Sequence, residues 1–230
     1  MTRAATLNRV TFTISRETEY FSEKELTRQI GHGRAWWPVA LLKELIDNAL
    51  DAAETAQVAP EITVEIEADA FAVQDNGPGL PGDVIAESLN YLQRISDKAY
   101  YVSPTRGQLG NALKVVWAAG YVANREGLVE VWTGGQRHTI AARLDRIAQR
   151  PEVEHAVCED PLVRIGTRVR VTWPDSASLL AGGVPDDFYS EDDEEFDDPL
   201  RAARLVEEYA ALNPHATFRL GDLRLCGNRT

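Results

Sequence analysis

The sequence predicts an α/β sandwich built on a mixed sheet. Apolar residues recur at helical spacing in some segments and alternate at strand spacing in others. These segments are intermixed along the chain without strict alternation, which is typical of a layered α/β fold. The length of 230 residues, of which 44% are hydrophobic and 26% are charged, suits one large globular domain with a buried core.

In the first half of the chain, the pattern begins with a short helix and continues with a long one. Two strands joined by a tight polar turn come next, then an irregular stretch rich in Gly and Pro, and then a further helix. The segments, in that order, are SEKELTRQI (22–30), Pro38–Ala56, EITVEIEA (61–68), AFAVQD (70–75), Asn76–Gly82 and DVIAESLNYLQRI (83–95).

The second half opens with a loop that runs straight into an apolar helix. Three strands follow, then an amphipathic helix and a final strand or hairpin. The segments are SDKAYYVSPTRGQLG (96–110), NALKVVWAAGY (111–121), LVEVWTG (128–134), HTIAARL (138–144), TRVRVTW (167–173), DPLRAARLVEEYAALN (198–213) and ATFRLGDLRL (216–225).

Charge and composition exclude several classes of protein. A net charge of −12 argues against a nucleic-acid clamp, since affinity for phosphate backbones comes mainly from Lys and Arg. Much of the excess lies in residues 185–199, which we interpret as a solvated or disordered acidic loop, with a docking segment for a basic partner as the alternative. Cys158 and Cys226 lack metal-ligand spacing and are expected to be free thiols. No apolar run approaches the length of a membrane span, so a cytoplasmic location is expected.

One face of the predicted long helix is unusually acidic. Glu44, Asp47, Asn48 and Asp51 lie three, four and seven residues apart and form one stripe, with Lys43 the only nearby lysine. A solvated helix face usually mixes both signs, because Glu and Lys four residues apart stabilise it by about 0.2–0.5 kcal/mol. The stripe is either an ordinary solvated face or a functional surface, and motifs elsewhere decide between them.

Two glycine motifs follow this helix in sequence. QDNGPGLP (74–81) ends a strand in Asp75 and lets the backbone approach a ligand closely, although the same letters also describe many β-turns. RGQLGNALK (106–114) leaves backbone amides free before a helix N-terminus, which suits phosphate binding, although a plain Gly-containing N-cap fits too. It matches neither a P-loop nor a dinucleotide fingerprint. The Gly-Thr pair of IGTRVRVTW (165–173) is uninformative alone.

The order of these four elements resembles the ATPase superfamily of gyrase, the large heat-shock chaperones, histidine kinases and MutL, the GHKL ATPases. A narrower resemblance is to the B subunit of type IIB DNA topoisomerase, topoisomerase VI. It rests on ALLKELIDNALDAAE (40–54), RISDKAYYVSPTRGQLGNALK (94–114) and LNPHATFRL (212–220), and covers nearly all of residues 15–222. The resemblance implies a Bergerat fold: a two-layer sandwich with a mostly antiparallel sheet and helices on one face.

The resemblance also implies an ATP and Mg²⁺ site with named roles. Glu44 would be the general base that deprotonates the attacking water, and Asn48 would ligate Mg²⁺ through its side-chain oxygen. Asp75 would accept a hydrogen bond from the adenine amino group, with Thr167 beside it. The other implied nucleotide-binding residues are Asp51, Gly77, Gly79, Lys98, Gly107, Gln108, Leu109, Gly110, Asn111 and Lys114. Either Lys98 or Lys114 could equally be a solvated surface lysine.

The implied function is slow ATP hydrolysis that drives ATP-gated dimerisation in a topoisomerase VI B-like protein. Residues 1–25 would be an N-terminal arm exchanged across a homodimer, and residues 26–230 the ATP-binding domain. A DNA-cleaving A-type subunit would be the partner, with DNA engaged through the complex. The alternatives are a stand-alone nucleotide-gated interaction module, as in a defence or mobile-element system, and a protein kinase, for which no phosphoacceptor helix is evident. The lysine that the family's transducer domain supplies has no counterpart after LNPHATFRL.

Overall fold

The computed structural model describes residues 20–91, 112–145, 147–148, 150–181 and 201–226. Within these ranges the chain forms one eight-stranded sheet packed against α-helices. The helices are α1 (Glu23–Ile30), α2 (Trp37–Thr55), α3 (Gly82–Ser88), α4 (Ala112–Asn124), α5 (Ser176–Ala181) and α6 (Arg201–Leu212), with a 3₁₀ helix at Arg34–Trp36. The strands are β1 (Glu61–Ile66), β2 (Ala70–Gln74), β3 (Leu128–Thr133), β4 (Gln136–Asp145), β5 (Arg150–Glu159), β6 (Thr167–Thr172), β7 (Thr217–Leu220) and β8 (Leu223–Cys226).

The sheet is mixed and mostly antiparallel, as predicted. Its strand order is β5-β4-β3-β6-β2-β1-β7-β8, and β1 with β7 is the one parallel pair among the described strands. Strands β7 and β8 form the predicted hairpin, which turns at Gly221. Strands β2 and β6 lie side by side in the middle, so the ends of two central strands meet at one edge of the fold.

One face of the sheet packs against the helices and the other carries charge. Along β6, Val169 and Val171 face the buried core, whereas Arg168 and Arg170 point to the opposite side. Both arginines extend across β2, on which Ala72 lies. Arg168 pairs with Glu65 of β1, and Arg170 pairs with Glu67, which directly follows β1. Because α2 and α4 pack on the apolar face of this layer, the architecture is the expected two-layer sandwich.

Helix α2 is the centre of the helical layer. It begins and ends within one residue of the predicted boundaries, and its apolar stripe packs on β1 and β2. Leu41, Leu42 and Ile46 are fully buried in the core. Within the polar stripe of α2, Asp47 and Asp51 are buried, whereas Glu44 and Asn48 are partly exposed. None of the helices in the described part of the chain is long and apolar enough to span a membrane.

Several predicted elements need correction. The helix expected over residues 83–95 ends at Ser88, because the chain turns to bury Tyr91 against Tyr20 and Phe21. Strand β5 and helix α5 were not predicted; β5 is an edge strand whose hydrogen bonds to β4 do not require an apolar pattern. The free thiols Cys158 and Cys226 are confirmed and exposed.

The division at residue 25 falls inside α1, and the arm itself stays a prediction. Tyr20 and Phe21, which the division assigns to the arm, are buried in the core of the domain. Residues 1–19 and the acidic segment 185–199 lie outside the described residues.

Candidate functional site

A buried carboxylate ends β2 at one edge of the sheet. Asp75 is 7% exposed, and its Oδ1 accepts hydrogen bonds from the backbone N–H of Gly77 (2.7 Å) and of Thr167 (3.2 Å). The N–H of Asp75 donates in turn to the carbonyl of Thr167 at 2.9 Å. Oδ2 has no hydrogen-bond partner among the described residues. Burial raises the pKa of Asp75 to about 6, although the two N–H donors act in the opposite direction.

Two glycines let the loop after Asp75 pass close to its neighbours. A Cβ on Gly77 would lie 3.0 Å from Asp75 Oδ1 and 3.2 Å from the side chain of Ala52 on α2. Gly79 has a φ of +92°, and a Cβ there would lie 2.8 Å from the hydroxyl of Thr133. The loop therefore lies between α2 and the end of β3. It contacts both the helical layer and the sheet at this point.

Two residues that sequence reasoning did not assign help to build this end of the site. Thr133 Oγ1 accepts a hydrogen bond from the N–H of Leu80 at 3.0 Å, which fixes the glycine loop to β3. Gly166 has a φ of +81°, and a Cβ there would collide with the backbone oxygen of Asp75. The only sequence signal for Gly166 was its place before Thr167, a pair too common to interpret.

The acidic stripe of α2 forms the second part of the site. Glu44 is partly exposed, with 37% of its side chain accessible. Asn48 is half-buried, and its Nδ2 is buried without a hydrogen-bond partner among the described residues. Asp51 is 5% exposed, one turn further along. The unpaired Nδ2 is a hydrogen-bond donor, for which a ligand oxygen could serve as the acceptor.

Asp47 does not share the environment of Glu44 and Asn48. It is 5% exposed, and its two oxygens are occupied by Tyr209 of α6 and by Lys43. The stripe inferred from spacing alone is thus divided: Glu44 and Asn48 keep accessible or unpaired atoms, whereas Asp47 is tied to a neighbouring helix.

Lys114 lies in the interior and is not a solvated surface lysine. It is 1% exposed, its Nζ donates to the carbonyl of Asn90 at 2.5 Å, and it lies 6.0 Å from the centre of the Tyr91 ring. Its proposed phosphate contact stays a prediction. The remaining candidates, Lys98, Gly107, Gln108, Leu109, Gly110 and Asn111, lie outside the described residues.

Comparison with known families bears on this geometry. Residues 36–177, more than half of the chain, match the family described as histidine kinase-, DNA gyrase B- and HSP90-like ATPases. This chain belongs to that ATPase family. The matched range includes α2, the glycine loop with Asp75, and the Gly166–Thr167 turn, so the residues assembled at the sheet edge all lie within the family's domain.

Curated relatives of this ATPase-family chain are archaeal. It is 28% identical over 194 residues to the B subunit of type 2 DNA topoisomerase 6 from Natronomonas pharaonis, covering 77% of this chain and 21% of that protein. The corresponding protein of Archaeoglobus fulgidus is 38% identical over 76 residues, covering 31% of this chain and 12% of that protein. The chain thus spans about a fifth of the length of the first relative.

Among solved structures, the ATPase-family chain is similar to the Aquifex aeolicus MutL ATPase domain complexed with ADP. The TM-score is 0.47 at 20% sequence identity, and the match covers 83% of this chain and 63% of that one.

Proposed function

We propose that this chain is the ATP-binding and slowly hydrolysing domain of a topoisomerase VI B-like protein. The observation that carries the proposal is the state of Asp75. One of its oxygens is held by two backbone N–H groups, and the other has no partner among the described residues. An acceptor oxygen held in this way suits a single N–H donor such as the adenine amino group, which would take the place of solvent at Oδ2.

The residues of α2 fit a magnesium-bound triphosphate. Asn48 would hold the ion through its side-chain oxygen, since Mg²⁺ prefers a few oxygen ligands together with phosphates and water. The unpaired buried Nδ2 of Asn48 is a donor, so it suits an acceptor such as a phosphate oxygen, while the amide oxygen would be the ligand of the ion. When bound, the ion would neutralise charge on the phosphates.

Glu44 would act on the attacking water. Its Oε1 lies 3.4 Å from Lys43 Nζ, and its side chain remains accessible to solvent. A carboxylate placed at hydrogen-bond distance from a water can accept the proton as that water attacks the terminal phosphate. Glu44 therefore contributes to the chemical step and not to nucleotide affinity in this proposal.

We further propose that ATP binding drives homodimerisation and that an A-type DNA-cleaving subunit is the physiological partner. The support is the name that the curated relatives share, the B subunit of topoisomerase 6. The charge of −12 fits a domain that engages DNA only through its complex. Light scattering with a non-hydrolysable ATP analogue, on the full chain and on one lacking residues 1–19, measures the first step. Monomers in both samples would contradict it.

The function is tested by calorimetry with Mg·ATP and Mg·GTP on the wild type, Asp75→Asn and Asp69→Asn. Asp75→Asn is expected to weaken ATP binding by about 1–3 kcal/mol, because the charged acceptor is lost in a buried site. Asp69→Asn is the matched control: Asp69 also accepts a backbone N–H, from Asp175 at 3.1 Å, but lies exposed beyond the opposite end of β2. Equal affinity for ATP and GTP, or equal effects of the two variants, would refute the adenine assignment.

A further inference from the structure

A buried carboxylate links the last helix of the domain to the middle of α2. Tyr209 of α6 donates its hydroxyl hydrogen to Asp47 Oδ1 at 2.6 Å, although the two residues are 162 positions apart. Lys43, one turn before Asp47 on α2, donates to Asp47 Oδ2 at 2.7 Å. Asp47 is thus satisfied at both oxygens, which a carboxylate with 5% exposure requires.

The same lysine reaches Glu44. Lys43 Nζ lies 3.4 Å from Glu44 Oε1, so one ammonium group contacts both the buried carboxylate and the proposed base. Burial alone would lower the pKa of Lys43, but its hydrogen bond to Asp47 and the charges of Glu44 and Asp47 raise it. Lys43 is therefore a cation at neutral pH, and 48% of its side chain is accessible to solvent. Among the described residues, Oε2 of Glu44 has no hydrogen-bond partner.

Given the ATPase activity proposed above, we propose that Lys43 is a positioning residue for Glu44 and that Tyr209 and Asp47 hold Lys43 in place. A glutamate whose side chain is partly accessible to solvent can adopt several rotamers. A cation held beside Oε1 restricts those rotamers and leaves Oε2 for the water. The reaction rate depends strongly on where the catalytic group lies, since a shift of about 1 Å can lower a rate by about 10²-fold.

The arrangement also makes α6 part of the active site's support. The carbonyl of Tyr209 accepts hydrogen bonds from the N–H and the side-chain amide of Asn213, at 2.9 Å and 2.8 Å. The Tyr209 ring lies 6.2 Å from that of Phe218 on β7, which is the parallel neighbour of β1. Through the Tyr209–Asp47 hydrogen bond, α6 contacts the part of α2 that carries Lys43 and Glu44.

The test separates turnover from binding in the full chain. Lys43→Met, Lys43→Arg, Tyr209→Phe and the Lys43→Met/Tyr209→Phe double variant are compared by single-turnover hydrolysis of Mg·ATP, by nucleotide affinity and by thermal unfolding. Lys24→Met, an exposed lysine on α1, and Tyr121→Phe, whose hydroxyl makes only a 3.4 Å contact with the carbonyl of Leu144, are matched controls.

Lys43→Met is expected to lower the single-turnover rate about tenfold with affinity within about twofold of the wild type, and Lys43→Arg is expected to retain most of the rate. Tyr209→Phe should lower the rate less, by about threefold, because Asp47 keeps Lys43 as a partner. The double variant should be no slower than Lys43→Met, since Tyr209 acts only through Lys43.

Three results would overturn the inference. A wild-type rate in Lys43→Met, alongside a large loss in Glu44→Ala, would mean that Lys43 does not position the base. A loss of affinity without a loss of rate would make Lys43 a nucleotide contact instead. A double variant as slow as the product of the single effects would separate Tyr209 from Lys43. Failure of the proposed function is distinguishable, because the wild type itself would then neither bind nor hydrolyse ATP.

Discussion

The two halves of the site are built in different ways. The end that holds Asp75 is made by backbone: strand β2, the start of β6 and the glycine loop fix one another through N–H and carbonyl groups. The α2 end is made by side chains, with Glu44 accessible to solvent and the Asn48 amide incompletely paired.

This contrast separates two tasks. Backbone groups at the Asp75 end are held by the hydrogen bonds of the sheet, so the position of this carboxylate depends on the pairing of β2 with β6. Side chains on one helix face depend on neighbours such as Lys43 for their orientation. In the proposed function, recognition of the adenine benefits from the first arrangement. Proton transfer benefits from the second, since a general base must adjust to the water that it deprotonates. Substitutions at the two ends should therefore differ in kind.

The largest expected effect is on the backbone-built end. Gly166→Ala should lower the free energy of unfolding by about 3 kcal/mol, from the left-handed φ together with a collision with Asp75. Gly31→Ala is the matched control, with a φ of +83° and open space around the added carbon. It should lower stability by only about 1 kcal/mol. Urea unfolding measures both, and equal losses would mean that the close approach to Asp75 is unimportant.

Removal of the proposed base should change turnover and little else. Glu44→Ala is expected to lower hydrolysis by roughly 10²-fold or more while nucleotide affinity and stability stay near the wild type, because in the proposed function Glu44 would act on water and not on the nucleotide. Asn48→Ala should instead lose the Mg²⁺-dependent part of ATP affinity. Phosphate release at saturating nucleotide measures the first outcome, and a calorimetric titration with Mg·ATP measures the second. A Glu44→Ala protein that hydrolyses ATP at the wild-type rate would remove Glu44 from the mechanism.

Asp75 should reduce the stability of the nucleotide-free protein. Its folded pKa of about 6 lies above the value of 3.8 for a free carboxyl, so folding favours the protonated form. The stabilisation that protonated Asp75 contributes is fully present below pH 3.8 and is lost as the pH rises through 6. Asp75→Asn should therefore be more stable than the wild type at pH 7, by about 2 kcal/mol: the pKa difference corresponds to about 3 kcal/mol, and the neutral amide accepts weaker hydrogen bonds than the carboxylate.

The same variant should converge with the wild type as the pH falls toward about 4, while its ATP affinity stays weak. Denaturant unfolding at several pH values, paired with calorimetry, checks both. A variant less stable than the wild type at pH 7 would show that Asp75 supports the fold instead of destabilising it.

The smallest expected effect concerns a histidine pair beside the glycine loop. His138 is 3% exposed, its Nδ1 lies 3.0 Å from His155 Nε2, and its ring faces Gly82 where α3 begins. Burial, and then the charge of His155, lower the pKa of His138, so folding favours the neutral ring. Its contribution is present above about pH 6.5 and is lost as the pH falls through the lowered value.

The stability of His138→Gln should accordingly differ modestly from that of the wild type, with the largest difference at pH 8 and the smallest at pH 5. Unfolding midpoints across that range measure the difference. A constant difference would mean that His138 contributes packing alone.

The sequence by itself determined much of the layered fold, and it also supplied the residues of the candidate site. Period and spacing set α2 to within a residue, and most strands were predicted because apolar alternation follows from burying one face of a sheet. Motif order also brought Asp75 and Thr167 together correctly, although 92 positions separate them.

Only the tertiary structure decided what each polar residue contacts. Glu44 and Asp47 are indistinguishable by spacing, yet Tyr209 from a distant helix turns one of them into a buried support. Gly166 is an ordinary turn residue until β6 is paired with β2 and its missing side chain makes room for Asp75. Strand β5 was missed because an edge strand is held by backbone hydrogen bonds to β4, which leave no apolar period in the sequence. The local spacing of apolar residues indicates which side chains are buried. These contacts, in contrast, arise only when segments far apart in the chain pack together.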